Sequence, residues 1–506
     1  MLAILRTFAL MGIAAREVTV EVDVRGGLPA FSVVGLPDAA VRESRDRVRP
    51  AIANCGFNFP QERITVSLAP ADLPKAGPAF DLAIAAGVLV ASSQLSPSVL
   101  ERSALAGELA LDGTVKPIAG ALAMADEAGR RGIDRFFVPA ASAPEAALAG
   151  RWNGARSGPR VLPIERLTQL RAIEAGEEPP AAEPPELDPT EGSAGAPDLA
   201  DLRGQPMLRL ALEVAAAGGH GLLMVGPPGA GKSLAASRLP SLIPPLSRAE
   251  ALDVIRVAGA CGSDPLIRAP RRPFRAPHHT ISAAGLIGGG NPPRPGEVTR
   301  AHRGVLFLDE LGEFARDALE ALRQPLEEGR VVISRSRHSI ELPCRFLLVA
   351  AANPCPCGRG EDSDDCRCDP AQVRRYGARL SGALADRIDI SLAVSQPPAK
   401  ALAGPPGEGS AKVRERVAAA RARQAARLGQ GRVNAEMTPA ETRMSCRLDR
   451  AAREQLAAGH RRLALSGRGH ERVLRLARTI ADLEESEPVQ AEHVTKALML
   501  RRRADT

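Results

Sequence analysis

Aromatic residues are scarce, at 3% of 506 residues, with Trp152 and Tyr376 the sole tryptophan and tyrosine. This argues against a protein that grips single strands mainly by stacking bases on aromatic platforms. Cysteine is sparse too, and eight in so long a chain do not make a disulfide framework. Four of the eight crowd into Cys355, Cys357, Cys366 and Cys368, which reads as reduced thiols and a cytoplasmic location. No apolar run approaches the roughly 20 residues that span a bilayer, so no membrane partner is expected. Nor is the charge strongly of one sign: 66 Lys and Arg face 59 Asp and Glu, for a net +7. That is a mild lean toward polyanions, which a GC-rich coding composition would also produce, so the placement of charge must decide.

What is present is ordinary globular usage, 44% hydrophobic and 25% charged, at a length that suggests roughly three domains. Met1 to Ala15 is apolar like a signal peptide, but Arg6 interrupts it and the strand-like Val18 to Val24 follows, so it reads as a first strand. The segment 174–197 carries seven acidic residues, no basic one and many prolines, the signature of a flexible linker. Before it, in 1–173, alternating segments such as Ile64 to Pro70 mix with Ala-rich helical runs, an α+β pattern. After it, in 198–395, helix Met207 to Ala217 precedes three short apolar strands, Gly221 to Val225, Val305 to Leu308 and Phe346 to Ala350, which implies a largely parallel sheet. A Pro/Gly-rich linker at 396–410 leads to 411–506, helical in spacing almost throughout.

The strongest motif is Gly226-Pro227-Pro228-Gly229-Ala230-Gly231-Lys232-Ser233, a GxxxxGK[ST] loop between a buried strand and a helix. Glycines let the backbone curl so that its N–H groups face phosphate oxygens, and the following helix adds its positive end. Lys232 then reaches the β- and γ-phosphates of ATP, and Ser233 offers a hydroxyl to magnesium. The strand Val305 to Leu308 ends in Asp309, suited to the magnesium shell, and Glu310, suited to polarising the attacking water. Asn353, after the third strand, is placed to touch the same water; a turn residue is the plainer alternative.

Together with RPFRAPHHT (Arg272 to Thr280), GVLFLDEL (Gly304 to Leu311), AANPCPCG (Ala351 to Gly358) and LSGALADRIDI (Leu380 to Ile390), these motifs resemble the ComM/YifB-type, magnesium-chelatase-like AAA+ ATPases. Ser32 to Ile52 and Ile64 to Leu82 also fit, so the resemblance covers nearly the whole chain. It implies a multidomain α/β protein: a Lon-protease-like (ribosomal S5 domain 2-like) α+β domain, an AAA+ P-loop α/β core and a helical C-terminal lid. It further implies a homo-oligomeric ring, a hexamer, that moves DNA as a branch-migration helicase in natural transformation. Arg387 would be the arginine finger reaching the next subunit's γ-phosphate, with a salt bridge to Asp386 or Asp389 as the alternative. In the lid, Arg475 would be the second sensor, with Arg468 and Arg472 as rivals.

A Lon-like domain raises the question of proteolysis. Active peptidases of that fold carry their serine in a GPSAG stretch, where this chain reads Gly77-Pro78-Ala79-Phe80-Asp81, and their lysine position falls on Leu122. Lys116 is nearby, but an amine without a hydroxyl forms no acyl-enzyme, so a non-catalytic domain is expected.

Cys355, Cys357, Cys366 and Cys368 flank the acidic loop Glu361 to Asp365 and could close a structural zinc site; free thiols and a redox disulfide are the alternatives. Basic residues cluster in two places. Arg271, Arg272, Arg275, His278 and His279 precede the glycine run Gly288 to Gly290, and a hairpin over Val331 to Leu342 carries Arg335, Arg337 and His338 at its turn. In a ring, loops of this kind line the channel and track DNA phosphates; a solvated turn is the alternative. Arg501 to Arg503 reads as a loose tail. The function expected is an ATP-driven ring motor on DNA; the competing readings are the ATPase subunit of a metal chelatase and a nucleotide-regulated scaffold.

Overall fold

In a computed structural model, residues 1–151, 158–188, 197–263, 269–290, 293–334, 339–360, 366–380, 384 and 387–501 are described. The apolar N-terminus forms strand Leu2–Met11, which pairs antiparallel with Ala14–Arg25 across a tight turn. Alternation explains the register: Val18, Val20, Val22 and Val24 are buried on one face while the residues between them reach the other. Arg63–Ala69 adds antiparallel and Ala30–Val34 parallel to it, closing a four-stranded mixed sheet. Helix Asp81–Ala91, apolar on every side and wholly buried, packs on this sheet. A second, parallel sheet joins Ser103–Leu105, Arg135–Pro139 and Arg160–Ile164.

The central unit is a five-stranded parallel sheet in the order Phe274–Arg275, Val305–Leu308, Leu347–Ala352, Leu222–Val225, Ile390–Ala393. The three inner strands are those expected from their apolar runs. The two edge strands escaped that reading, because two residues at one edge and four with a half-exposed serine at the other carry no period to detect. A short helix, Ala399–Leu402, breaks the stretch read as a linker, and five longer ones follow among the described residues: Ser410–Leu428, Pro439–Ser445, Arg450–Arg462, Gly467–Leu483 and Ala491–Met499. In Gly467–Leu483, Val473, Leu476, Ala477 and Ile480 recur at helical spacing and are buried, and Ser466 caps its first turn by accepting from the Gly469 N–H at 3.1 Å.

The seam expected at 174–197 is not simply flexible. Within its described part, the Ala182 N–H donates to the Val161 carbonyl at 2.8 Å and Leu187 packs against Leu246, Ala251 and Val254, so apolar contact fixes a segment whose composition promised none. The N-terminal unit also docks directly on core helix Arg248–Ala260. The Gly120 N–H donates to the Gly259 carbonyl at 2.9 Å, Arg256 pairs with buried Asp126, and Leu252 and Ile255 join the apolar cluster around Ala121 to Ala125. A side chain at Gly259 would strike Glu145, its Cβ only 2.2 Å from Oε1. At a second contact, the turn at Gly12 rests on Ile340 and Leu342 of the hairpin Arg330–Ser334/Ser339–Pro343.

Candidate nucleotide site

The glycine loop leaves the end of strand Leu222–Val225 and enters helix Lys232–Leu242. Gly231 adopts φ +83° at the helix entry, and Gly226 lies so close to the neighbouring edge strand that a Cβ would stand 2.0 Å from the Val394 carbonyl oxygen. Lys232 is 8% exposed, and its Nζ donates to the carbonyls of Gly226 and Pro227 and to Asn353 Oδ1 at 3.2 Å. Burial lowers its pKa, opposed by the charges of Asp309 and Glu310. An ammonium held on neutral carbonyls inside a curl of amides is the arrangement an anion would satisfy better.

Ser233 Oγ donates to Asp309 Oδ2 at 2.7 Å, bringing a hydroxyl and a carboxylate from two elements to one point. Hard oxygen donors of this kind suit magnesium, and these two residues would hold it. The next residue, Glu310, takes φ +53°, a left-handed conformation that a non-glycine residue adopts at a cost of order 1–3 kcal/mol. Its N–H is tied to Asp309 Oδ1 at 2.9 Å, and its carboxylate meets His279 Nδ1 at 3.1 Å. Asn353 follows strand Leu347–Ala352, and its backbone amide faces the Tyr376 hydroxyl. Lys232, Ser233, Asp309, Glu310 and Asn353 therefore converge from three adjacent strands.

Residues that brace this loop were not visible in the sequence. Buried Gln205 donates to the carbonyls of Ala230 and Ser395 at 2.9 and 2.8 Å, and Gln396 to that of Pro228 at 2.9 Å. A lone glutamine carries no motif; only the singular Tyr376 offered a signal.

The arginines collect at the other edge of the sheet. A cavity of about 710 Å³ opens between core and lid, lined at the strand beginnings by Gly221, Gly304 and Leu347 and around them by Arg387, Arg468, Arg472 and Arg475. Arg387 pairs with Glu327, and Asp386, one of the two aspartates considered for it, lies outside the described residues. Asp389 instead meets His220 Nδ1 at 3.0 Å and Arg472 Nε at 3.4 Å, and His220 Nε2 meets Thr479 Oγ1 at 2.8 Å, a buried polar bridge from core to lid. Arg475 donates to the Ala435 carbonyl at 3.0 Å and lies 3.8 Å from Glu471, while Arg468 is exposed. Arg501 donates to the Asp389 carbonyl at 2.8 Å, so the helix end is anchored where a loose tail was expected; Arg502 and Arg503 lie outside the described residues.

The first basic cluster is redistributed. Arg272, expected on an exposed loop, is largely buried: it donates to the carbonyls of Pro244 and Arg303 at 2.7 and 2.8 Å and to Glu250 at 3.2 Å, with its side chain 9% exposed. Arg275 lies on the core's edge strand and makes a two-pronged pair with Glu297 at 2.6 and 2.9 Å. The segment expected to be an inserted loop thus begins as part of the sheet, because its carboxylate partners lie on the core. His279 turns to Glu310, with the exposed His278 ring stacked on it at 4.1 Å, and Arg271 is exposed. Arg335, Arg337 and His338 lie outside the described residues.

None of the eight cysteines is in a disulfide. The sulfurs of Cys355, Cys357, Cys366 and Cys368 lie within 4.8 Å of one another, a group able to hold a metal ion. The loop Glu361 to Asp365 lies outside the described residues. In the N-terminal unit, Ala79 is half-buried and Leu122 is buried, its N–H donating to Glu145 Oε1 at 3.1 Å, while Lys116 is exposed. No helix among the described residues is long and apolar enough to cross a membrane.

Three family models match successive parts of the chain: subunit ChlI of Mg-chelatase over residues 20–142, magnesium chelatase subunit ChlI over 198–402, and the C-terminal part of magnesium chelatase subunit ChlI over 407–501. The protein YifB of Escherichia coli is 42% identical over 99% of this chain and 97% of its own length. The competence protein ComM of Haemophilus influenzae is 41% identical over 98% of this chain and 97% of its own. The magnesium-chelatase 38 kDa subunit of Rhodobacter capsulatus is 29% identical over 30% of this chain and 48% of its own.

Proposed function

The chain belongs to the YifB/ComM family of magnesium-chelatase-like proteins, and on that premise we propose that it is an ATP-hydrolysing AAA+ ring motor that moves branched or single-stranded DNA. The carrying observation is the convergence of Lys232, Ser233, Asp309 and Asn353 on one point beside the glycine loop. Loop amides and Lys232 bind the triphosphate, and Glu310 takes the proton of the attacking water once it leaves His279. Magnesium, held by Ser233 and Asp309, would neutralise charge on the phosphates. Arg387 and Arg475 share a cavity at the edge where the strands begin, whereas the chain's own loop follows the end of a strand. Both would therefore serve the nucleotide of an adjoining subunit, which supports a closed ring, a hexamer, as the working form.

The N-terminal unit is assigned as a Lon-like, non-catalytic assembly domain, since Ala79 and Leu122 supply neither hydroxyl nor amine. The four cysteines are assigned to structural zinc. DNA as the substrate is supported by the full-length similarity to a protein named for competence. A chelatase subunit is the weaker reading, because similarity to the 38 kDa subunit covers only 30% of this chain. The test is ATP hydrolysis with and without branched and single-stranded DNA across ionic strength. A motor predicts stimulation that fades as salt rises, together with ATP-dependent strand exchange. DNA binding that persists unchanged in Glu310→Gln, with no ATP-dependent strand exchange by the wild type, would replace the motor with a scaffold.

A further inference from the structure

The four cysteines sit at the foot of the nucleotide site. Cys355 is wholly buried two residues after Asn353. Its sulfur accepts from the Gly360 N–H at 3.3 Å, and its carbonyl from the Gly358 N–H at 2.9 Å. Gly358 lies flat on the glycine loop: a Cβ there would stand 3.0 Å from Pro228 Cδ and 3.7 Å from Asn353 Nδ2. Beyond Cys368, helix Pro370–Leu380 returns to the same place. Its Tyr376 packs on Gly312, just after the acidic pair, with its hydroxyl facing the Asn353 backbone amide. Both described segments, 353–360 and 366–376, thus reach the nucleotide site, and the four cysteines lie where the two meet.

The spacing of the sulfurs names the ligand class. Four thiolates around zinc at ~2.3 Å stand about 3.8 Å apart along the edges of a tetrahedron. Here Cys355 to Cys357 is 3.3 Å, Cys355 to Cys366 is 3.8 Å and Cys357 to Cys366 is 3.6 Å. An iron–sulfur cluster, whose own irons and sulfides fill the space between the cysteines, would spread them farther. Backbone amides also face the sulfurs, those of Arg359 and Arg367 toward Cys357 and that of Cys368 toward Cys366, the surrounding that metal-bound thiolates favour.

We infer that zinc bound by Cys355, Cys357, Cys366 and Cys368 is a clip that positions Asn353 for ATP turnover, by tying segment 353–360, which lies on Pro228, to segment 366–376, which carries Tyr376. This deepens the ATPase and zinc readings and rests on both. The zinc ion stays off the phosphates and acts through Asn353 and its neighbours. Binding of ATP depends less on it, because Gln205 and Gln396 brace the loop independently.

The full chain, purified without chelator, should carry about one zinc, and cobalt put in its place should show the thiolate-to-cobalt charge-transfer bands of a tetrahedral sulfur site. Cys366→Ser with Cys368→Ser should lose the metal and about tenfold or more in turnover, while the Kd for ATP moves by less than about threefold. Should that variant fail to fold, Tyr376→Phe keeps all four cysteines and should retain zinc yet lose turnover about threefold, with Kd again steady. Wild-type protein without zinc, its thiols equally reactive with and without chelator, overturns the metal. A metal-free variant that turns over ATP at the wild-type rate overturns the positioning role. If the wild type hydrolyses no ATP at all, the ATPase reading falls and with it the positioning role, while zinc content and the cobalt spectrum still decide the metal.

Discussion

The two edges of the core sheet differ in how complete they are. At the edge where strands end, Lys232 bonds Asn353 at 3.2 Å and Ser233 bonds Asp309 at 2.7 Å, so ammonium, hydroxyl and carboxylate all come from one chain. At the edge where strands begin, Arg387, Arg468, Arg472 and Arg475 surround a cavity that holds none of those groups. One edge is a site; the other is half of one. The difference teaches that cations gathered by core and lid must be sorted by their partners. Arg472 is engaged in holding the C-terminal helices through Asp389, whereas Arg387 reaches Glu327 on the cavity wall.

The most direct way to break this contrast is to cripple each edge in a different chain. Lys232→Ala and Arg387→Ala should each lower ATP turnover by ~10³ or more alone. Mixed in equal amounts, they should recover about a quarter of the wild-type rate, because random ring assembly places an intact loop against an intact finger at that share of interfaces. No recovery in an ATPase titration of such mixtures would mean that the two edges do not serve one nucleotide. Next in size, Arg475→Ala should cost about 10² in turnover with the melting temperature kept. Arg472→Ala should do the reverse, leaving turnover within a few-fold and destabilising the lid by about 1–3 kcal/mol in denaturant unfolding. If Arg472 behaved like Arg475, the sorting by partners would be wrong.

His279→Ala sharpens the first edge alone. Freed from His279, Glu310 should raise the DNA-independent rate about two- to tenfold and shrink the stimulation by DNA, read from paired assays at saturating ATP.

The last expected effect is on stability rather than turnover and concerns the dock of the N-terminal unit. Burial pushes the Glu145 carboxyl up to about 7, against the Leu122 amide that lowers it. A folded-state value above the unfolded one means stability fully present below the ordinary carboxyl range and lost as pH climbs through 7, in total on the order of 3 kcal/mol. Thermal melts between pH 5 and 8 should slope downward for the wild type and flatten in Glu145→Gln.

Much of the nucleotide site was legible because its chemistry is contiguous. The stretch Gly226 to Ser233 must curl wherever it sits between a strand and a helix, and Asp309 and Glu310 end an apolar strand that can only be internal. The basic residues were not legible in this way. Arg272, Arg275 and His279 lie within eight positions of one another, yet they take three different partners, Glu250, Glu297 and Glu310. Nor could composition show that Leu187 anchors the acidic segment, since one apolar residue among prolines has no period.

Sequence by itself determined the glycine turn between strand and helix, the acidic strand end, the three inner strands and the helical C-terminal part, because each follows from neighbours along the chain through backbone conformation and hydrophobic spacing. Tertiary structure alone decided which cations are available, which edge of the sheet each arginine faces and that Gly358 meets Pro228. Those facts depend on contacts between residues from about twenty to more than a hundred positions apart, and whether a charge is neutralised or left for a partner is set by what packs within a few ångströms of it.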